Sequence, residues 1–261
     1  MKYTTNRRVC HPPARLRSGS GCGILASDTP AEVDGRLRIV LLADLHGNWP
    51  ATQAMEQALD RLQPDKTWFL GDAVGKGPAS RACCDWVRTH CDAFVGGNWD
   101  YGIGGKEFPE DGYYWDQLGP ERMKWLRELP REAELTFAGL RFRLFHGRPV
   151  THLLKAQSPR EELEATFTTP AGTFDGVIFA DSHRAFVRTV NIGYICNTGS
   201  VGNSMGVTRA HCLLLEDEPF RMTVVSVPYD NEAAAEEARR DPGLPHRDAW
   251  IREVLTGVYS R

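Results

Sequence analysis

From Leu37 onward, short aliphatic runs alternate with segments of helical spacing, and this alternation constrains the fold more than any other feature. Leu37–Ala43 predicts a buried strand, because a short, mostly aliphatic run ends there in a polar turn. Ala51–Leu62 has the spacing of an amphipathic helix, and Pro50 is tolerated in its first turn. The next strand, helix and strand are predicted at Thr67–Leu70, Ser80–His90 and Ala93–Val95. This alternation implies βαβ units and a parallel sheet.

The second half of the chain has a different pattern, in which strand signals follow one another closely. Strands are predicted at Glu134–Phe137, Leu140–Phe145, Gly176–Ala180, Ala185–Val190, Tyr194–Cys196, Ala210–Leu215 and Met222–Val227. Short turns favour antiparallel pairs, so this half is expected to supply a second, mixed sheet. Tyr101–Gly119 is expected to form a surface loop or a short helical insert, and Pro120–Leu129 a helix. Two further helices are predicted at Asn231–Arg239 and Arg247–Leu255.

Composition excludes several classes of protein. The 261-residue chain has a formal net charge of −3, so it offers no global basic field for a nucleic acid. No apolar run approaches the ~18 residues of a transmembrane helix, so we expect no membrane partner. The seven cysteines are an odd number without a CxxC pair. They favour a reducing, cytoplasmic location over a disulfide framework or an all-cysteine zinc site.

Residues 1–34 differ from the rest of the chain. They carry basic residues but no acid before Asp28, and prolines and a Gly-Ser-Gly stretch interrupt them. No apolar core follows the basic stretch, as a secretory signal would require. We predict a disordered tail, or an over-extended start, ahead of a single domain over residues 35–261. An organelle transit peptide is the alternative.

Polar side chains that can bind a metal ion follow five of the predicted strands. The five motifs are Asp44-Leu45-His46, Gly71-Asp72, Gly97-Asn98-Trp99-Asp100, His146-Gly147 and Asp181-Ser182-His183. In open α/β sheets, ligands bind beyond the carboxyl ends of the strands, so these five ends can converge on one place. Each motif alone has a plainer interpretation as a turn or a structural histidine. Their joint occurrence in this order favours a metal site.

The order of these motifs resembles that of the calcineurin-like metallophosphoesterases. Leu70–Pro78 is similar to the Gly-Asp block of a branch of small bacterial phosphodiesterases, and Asn197–Gly202 is similar to a late turn of that branch. The resemblance covers about Leu37 to Val227. It implies a four-layer α/β/β/α sandwich with two mixed β-sheets. It also implies hydrolysis of a phosphodiester, phosphomonoester or nucleotide by a hydroxide that two metal ions activate.

The resemblance implies four ligands for each of two divalent metal ions. One ion would be held by Asp44, His46, Asp72 and His183. The second would be held by Asp72, Asn98, His146 and Asp181. Asp72 would therefore bridge the two ions. Carboxylate, imidazole and amide ligands suit Mn²⁺, with Fe, Zn²⁺ and Ni²⁺ as alternatives.

Two positions depart from the family's pattern. Asp181 stands where the family usually has a histidine ligand. A carboxylate can also bind a hard metal ion. Alternatively, Asp181 is a turn residue and the second ion is weakly held. Trp99 replaces a histidine that in the family stabilises or protonates the leaving oxygen. An indole offers a neutral N–H and cannot transfer a proton. This substitution favours good leaving groups, as in aryl phosphodiesters and nucleotide pyrophosphates.

Residues around the expected site are candidates for catalysis and for substrate binding. The catalytic candidates are Asp72, Asn98, Trp99 and His146. The substrate-binding candidates are Asn98, Arg148 and His152. The guanidinium of Arg148 could bind a phosphate, or it could form a surface ion pair. His152 could replace the lost proton donor, or it could be a solvated histidine. Tyr113, Tyr114 and Trp115 could form an aromatic wall with Trp99, or could simply pack their loop onto the domain.

The expected partner is a small phosphorylated molecule, with a nucleotide among the candidates, and a homo-oligomer is left open. Two rival functions remain. The first is a scaffold for protein contacts built on the same fold with a degraded site, and the retained ligands argue against it. The second is a protein serine/threonine phosphatase, against which the missing histidine at Trp99 argues.

Overall fold

The computed structural model describes residues 2–4, by their backbone, and residues 37–260. The strands are β1 (Lys2–Thr4), β2 (Arg38–Leu42), β3 (Lys66–Leu70), β4 (Ala93–Val95), β5 (Glu132–Phe137), β6 (Leu140–Phe145), β7 (Thr168–Thr169), β8 (Gly172–Thr173), β9 (Gly176–Phe179), β10 (Phe186–Val190), β11 (Gly193–Asn197), β12 (Ala210–Glu216) and β13 (Arg221–Val227). The helices are α1 (Trp49–Leu62), α2 (Ser80–His90), α3 (Asn98–Gly105), α4 (Gly112–Arg127), α5 (Arg160–Ala165), α6 (Asn231–Arg239) and α7 (Arg247–Thr256).

Two mixed sheets lie face to face. The first has the order β13-β12-β2-β3-β4, in which β2, β3 and β4 are parallel and β12 and β13 run antiparallel to their neighbours. The second has the order β1-β5-β6-β9-β11-β10, in which β6, β9 and β11 are parallel. Strands β7 and β8 form a separate hairpin. Helices cover the outer faces, so the predicted four-layer α/β/β/α sandwich is confirmed.

Alternate side chains of β2 show how the layers are held together. Ile39 and Leu41 are fully buried between the two sheets, where they pack with apolar side chains of β5, β6, β9 and β12. Val40 and Leu42 point the other way, toward a core formed with α1, α2, α4, α6 and α7. A smaller core on the outer face of the second sheet includes Leu163 of α5. Because both faces of β2 are buried, its sequence is continuously aliphatic rather than alternating.

Most predicted elements are confirmed to within two residues, and α2, β4, β6 and α6 have the predicted bounds. For Tyr101–Gly119 the helical alternative is the correct one, and it is more extensive than a short insert, because α3 and α4 occupy most of the segment. The carboxylate of Asp100 bonds the backbone N–H of Gly97 and so caps the start of α3. Gly119 has a left-handed backbone, with φ of 67°, and interrupts α4 just before Pro120.

The prediction that the second half forms its own sheet is correct for β5, β6, β9, β10 and β11 and wrong for β12 and β13. These two strands return to the first sheet, where β12 pairs with β2. Residues 210–215 of β12 are all buried, which is the pattern of a central strand. The short helix α5 and the hairpin of β7 and β8 were not predicted, because their brief polar sequences carry little periodicity.

Two sequence predictions fall largely on residues outside the described ranges. Of the predicted tail, only Lys2–Thr4 is described; its backbone pairs in parallel with β5, and disorder of the tail stays a prediction. Cys10 and Cys22 also lie outside the described residues. The five other cysteines are buried and unpaired within residues 37–260. No helix within that range is long and apolar enough to cross a membrane.

The contact between the sheets gives a first prediction. Leu41→Ala is expected to lower the free energy of unfolding by about 2–5 kcal/mol, because it leaves a cavity in a fully buried layer. Val187→Ala, on strand β10, is the control, since Val187 is 39% exposed; its cost should stay below about 1 kcal/mol. Urea denaturation measures both. Equal losses in the two variants would contradict a core centred between the sheets.

Candidate metal centre

The carboxyl ends of β2, β3, β4, β6 and β9 meet at one edge of the two sheets and bring the predicted ligands together. Main-chain hydrogen bonds join the turns at these ends. The amide of Asp44 donates to Gly71 O at 2.8 Å, and the amide of Ala180 donates to His146 O at 2.7 Å. Parallel strands thus place side chains that are far apart in sequence within one buried volume.

Two groups of buried side chains within that volume have the spacing of metal ligands. In the first group, Asp44 Oδ1 lies 3.6 Å from His46 Nε2 and 3.3 Å from His183 Nε2. In the second group, His146 Nε2 lies 3.2 Å from Asp72 Oδ2 and 3.9 Å from Asp44 Oδ1. Asp44 belongs to both groups. Asp72 also reaches toward both, because its Oδ2 lies 3.7 Å from His46 Nε2.

All three histidines are turned the same way by the main chain. His46 Nδ1 donates to Val74 O at 3.3 Å, His146 Nδ1 to Leu70 O at 2.7 Å and His183 Nδ1 to Asn203 O at 2.6 Å. A carbonyl can only accept a hydrogen bond, so Nδ1 of each ring carries the hydrogen. Each ring then directs its Nε2 toward the centre, where a neutral ring presents a lone pair. This is the arrangement in which histidines ligate metal ions.

The donor set fits a cation in a second way. Both carboxylate oxygens of Asp44, Oδ1 of Asn98 and Nε2 of His146 are buried and have no hydrogen-bond partner among the described residues. Buried acceptors of this kind cost free energy unless they are satisfied. His46 Nε2 and His183 Nε2 face each other at only 3.1 Å. Cations in the two ligand groups would satisfy these acceptors and remove the repulsion between His46 Nε2 and His183 Nε2.

Backbone strain is concentrated at the same residues. Asp44, His46, Asp72, Asp181 and His183 all have a left-handed backbone, with φ between 47° and 61°. Such a conformation in residues other than glycine costs of order 1 kcal/mol each. The sharp turns it produces direct successive side chains back toward one point. Strain that recurs at five predicted ligands is typical of a functional site.

The buried charges shift one another's pKa values. Burial alone would lower the pKa of His146, but the carboxylates of Asp72, Asp44 and Asp181 raise it well above its usual range. Burial, together with the positive charge of Lys76, lowers the pKa of His46 well below its usual range. The two rings therefore differ in basicity, because three carboxylates outweigh burial at His146, whereas burial and Lys76 outweigh Asp72 at His46.

Asp181 takes part in a different contact from the other predicted ligands. Its Oδ2 accepts from Arg148 Nε at 3.0 Å, and its Oδ1 accepts from an Arg148 terminal nitrogen at 2.9 Å. The same Oδ1 lies 3.9 Å from His146 Nε2, so the carboxylate remains beside the second group. The predicted roles of Asp181 as a ligand and of Arg148 as a phosphate-binding residue stay predictions.

The other predicted site residues fall into two sets. Trp99, Asn98 and Tyr114 line a cavity of about 750 Å³ that opens from Asp72 and His183. His152 does not: it lies on an exposed segment, with Nε2 3.3 Å from Glu162 Oε2. A substrate-binding role for His152 stays a prediction, and its contacts favour the alternative of a solvated histidine.

Only two of the four residues of the predicted aromatic wall line the cavity. Besides Trp99 and Tyr114, the predicted wall included Tyr113 and Trp115. The Tyr113 hydroxyl donates to Asp241, and the ring of Trp115 packs against the helical core and under the Lys106 ammonium. Neither side chain lines the cavity beside the metal centre. These two residues thus follow the packing alternative.

Asp100 supports the centre in a way that the sequence analysis missed. Its buried carboxylate accepts from the amides of Asp72, Ala73 and Gly97, at 2.7, 3.0 and 2.9 Å. Burial and the negative charge of Asp72 raise its pKa to about 7. The signal was an acidic residue three positions into a helix that begins after Gly97, which is where a capping side chain lies.

Asn203 connects the centre to the end of the described chain. Its carbonyl accepts from His183, and its side-chain oxygen accepts from the Lys76 ammonium at 2.9 Å. Its side-chain nitrogen donates to Glu253 of α7 at 3.2 Å. The sequence marks Asn203 only as a residue that follows the turn at Asn197–Gly202, so this role could not be read from spacing.

Residues 37–194, more than half of the chain, match the sequence profile of the family described as calcineurin-like phosphoesterase. The chain belongs to this family. The resemblance seen in the motifs is thereby confirmed. A calcineurin-like phosphoesterase is a hydrolase of phosphoric esters, and its two candidate ligand groups are suited to divalent metal ions.

Individual relatives match most of the length of this chain. The chain is 26% identical over 246 residues to the uncharacterized protein MJ0912 of Methanocaldococcus jannaschii. The alignment covers 83% of this chain and 96% of that relative. The crystal structure of a metallophosphoesterase from Sphaerobacter thermophilus is 25% identical, with a TM-score of 0.69 over 85% of this chain and 99% of that one. The hypothetical protein PH1004 of Pyrococcus horikoshii OT3, at 20% identity, shares the fold with a TM-score of 0.73 over 86% and 100% of the two chains.

The support from Asp100 gives a second prediction. Asp100→Ala leaves three buried amide groups without an acceptor, so the free energy of unfolding should fall by about 2–5 kcal/mol. Asp111→Ala is the matched control, because Asp111 precedes α4 without making a capping hydrogen bond; its cost should stay below about 1 kcal/mol. Thermal and urea unfolding measure the difference. Asp100 would have no supporting role if both variants were equally stable.

Proposed function

We propose that this calcineurin-like phosphoesterase hydrolyses a phosphodiester, phosphomonoester or nucleotide with the help of two divalent metal ions. The convergence of the two ligand groups at the carboxyl ends of the parallel strands carries the proposal, with Asp44 in both groups and Asp72 close to a histidine of each. A scaffold protein would have no need of three histidines held with Nε2 toward one buried point. Mn²⁺ is the metal that we favour, with Fe, Zn²⁺ and Ni²⁺ as alternatives.

The proposed ligands are those expected from the motifs. One ion would be held by Asp44, His46, Asp72 and His183. The other would be held by Asp72, Asn98, His146 and Asp181. When bound, the two ions would supply a hydroxide nucleophile at neutral pH and positive charge for the phosphoryl oxygens.

The chain's own residues would bind and orient the ester. The Asn98 side chain lines the cavity beside Asp72, where its amide nitrogen could donate to a phosphoryl oxygen. Arg148 lines the same cavity, and a guanidinium has five N–H donors, of which two are directed at Asp181. The remaining donors could make the planar contact with a phosphate that arginine favours. Both residues would thus align the phosphorus for in-line attack.

The cavity walls favour an ester that carries an apolar or aromatic group. Phe108, Leu153 and Tyr259 line it although they are 51%, 36% and 61% exposed. Exposed apolar side chains gathered around a polar centre are typical of a ligand site. Trp99 also lines the cavity, with its ring centroid 5.8 Å from that of His46, and its indole could stack on a ring. Aryl phosphodiesters and nucleotides have the required combination of phosphate and flat ring.

A substrate panel tests the proposal. Chain supplied with Mn²⁺ would be assayed on a bis-aryl phosphate, an aryl monophosphate, mononucleotides, cyclic nucleotides and dinucleoside polyphosphates. We expect the highest kcat/KM for a diester or anhydride with an aryl or nucleotide leaving group. Metal analysis of the same preparation would show whether two ions bind. No turnover of any member by a chain that carries two ions would favour the scaffold alternative.

Asp72 gives the third prediction. Asp72→Asn should lose most of the bound metal and nearly all activity, since Asp72 lies between His46 and His146 and would serve both ions. Glu110→Gln is the control, because Glu110 is another acid lining the cavity that belongs to neither ligand group. Two metal ions per chain and near-native turnover in Asp72→Asn would remove Asp72 from the site.

Trp99 gives the fourth prediction. If this enzyme lacks a leaving-group acid, its rate should depend steeply on the pKa of the leaving group. Trp99→His should speed hydrolysis of esters with poor leaving groups by up to ~10²–10⁴-fold, the contribution of a positioned general acid, and should scarcely alter aryl esters. The measurement is the slope of log kcat against leaving-group pKa in the two proteins.

The control for Trp99 separates the effect of proton donation from the steric effect of the side chain. Trp99→Phe keeps a flat ring in the cavity and removes the indole N–H, so its slope should stay close to that of the unmodified chain. Separate values of kcat and KM guard against changes in binding. Equal slopes in Trp99→His and the unmodified chain, with both metal ions bound, would make Trp99 a packing residue.

A further inference from the structure

Asp181 is the predicted metal ligand whose two oxygens both already bond a cationic group. Arg148 binds it through two parallel hydrogen bonds, at 3.0 and 2.9 Å. By contrast, both oxygens of Asp44, Oδ1 of Asn98 and Nε2 of His146 have no hydrogen-bond partner among residues 37–260. The ligand set is therefore uneven: these atoms are open to a cation, whereas Asp181 is already occupied by one.

The main chain builds this pairing into the fold. Gly147 lies between His146 and Arg148, and a β-carbon at Gly147 would come within 2.6 Å of the Asp181 side chain. Its backbone has φ of 157°, in the region that favours glycine. The turn after β6 can therefore press against the turn after β9. Arg148 is thereby brought within reach of Asp181.

The pair lies where it can act on the second ligand group. Asp181 Oδ1 is 3.9 Å from His146 Nε2, so an ion held by His146 would also approach the carboxylate. The Asp181 side chain is buried, whereas the Arg148 side chain is 53% exposed and lines the cavity. The carboxylate is thus fixed in place, and the guanidinium has room to move away from it.

We propose that Arg148 competes with the second metal ion for the Asp181 carboxylate and so weakens binding at that site. This inference rests on the proposed function. Each hydrogen bond from Arg148 occupies a lone pair of the carboxylate, and the fixed positive charge repels a dication. Lys76 also brings positive charge near the centre, but its ammonium donates to Asn203, which is not a proposed ligand. Arg148 is thus a positioning residue that sets the affinity of the second site.

Metal binding without any substrate tests this role. Mn²⁺ titrations of the metal-free chain, followed by calorimetry and by equilibrium dialysis, would give a dissociation constant for each site. Arg148→Met keeps a side chain of similar length without the charge, and should tighten the second site roughly tenfold or more. The first site should change little. The increase in affinity of the second site should be smaller at high salt, because the guanidinium is partly exposed and salt screens its repulsion of the ion.

Two further variants make the test specific. Arg184→Met removes another arginine that lines the cavity and does not bond Asp181, and it should leave the second site unchanged. Adding Asp181→Asn to Arg148→Met should abolish the gain, because the carboxylate that the ion acquires is then missing. Circular dichroism and thermal unfolding of each metal-free variant establish that it is folded.

The outcomes separate this inference from the proposed function. Two Mn²⁺ sites in the unmodified chain, with a second site that is unchanged or weaker in Arg148→Met, would overturn the competition and leave the proposed function standing. Equal tightening in Arg184→Met would overturn it too, since the effect would then be one of general charge. A chain that binds no Mn²⁺ overturns both.

Discussion

Three hydrogen bonds from imidazole nitrogens to main-chain carbonyls orient the histidines of the candidate metal centre. They fix the hydrogen of His46, His146 and His183 on Nδ1 and turn Nε2 of each ring inward. Two of the accepting carbonyls belong to Leu70 and Val74, at the end of β3 and in the turn that follows it. The rings are therefore oriented by the main chain around β3 as well as by their own turns. A distortion of β3 would misplace rings that come from two different sheets.

The fold class and most of the donors could be predicted from the sequence because they depend on local features. A strand of continuous aliphatic residues such as Ile39–Leu42, followed by Asp44 and His46, reports both burial and position at a sheet end. Parallel order then makes those ends coincide. The membership of β12 in the first sheet could not be predicted, because pairing between distant strands depends on which partner leaves the least edge exposed.

The finer details of the site depend on contacts that spacing does not record. Nothing in the sequence says that Arg148 reaches Asp181, since that contact requires two turns to press together at Gly147. Asp100 was visible as part of a motif, but its bonds to three amides follow from the way that the start of α3 meets β3. Asp181 and Trp99 are the two departures from the family's pattern, and both lie on the wall of the cavity.

The link through Asn203 also bears on when the centre can form during folding. His46 and His183 are 137 positions apart, and the Asn203 that orients His183 is held by Glu253, 50 positions further along the chain. Closing such long loops costs conformational entropy before the contacts between their ends can form and stabilise the fold. We therefore expect the donors to be scattered in a partly folded chain and to come together only when both sheets have docked. Ion uptake would then be a late event, and the free energy of ligation would add to the cooperativity of the whole domain.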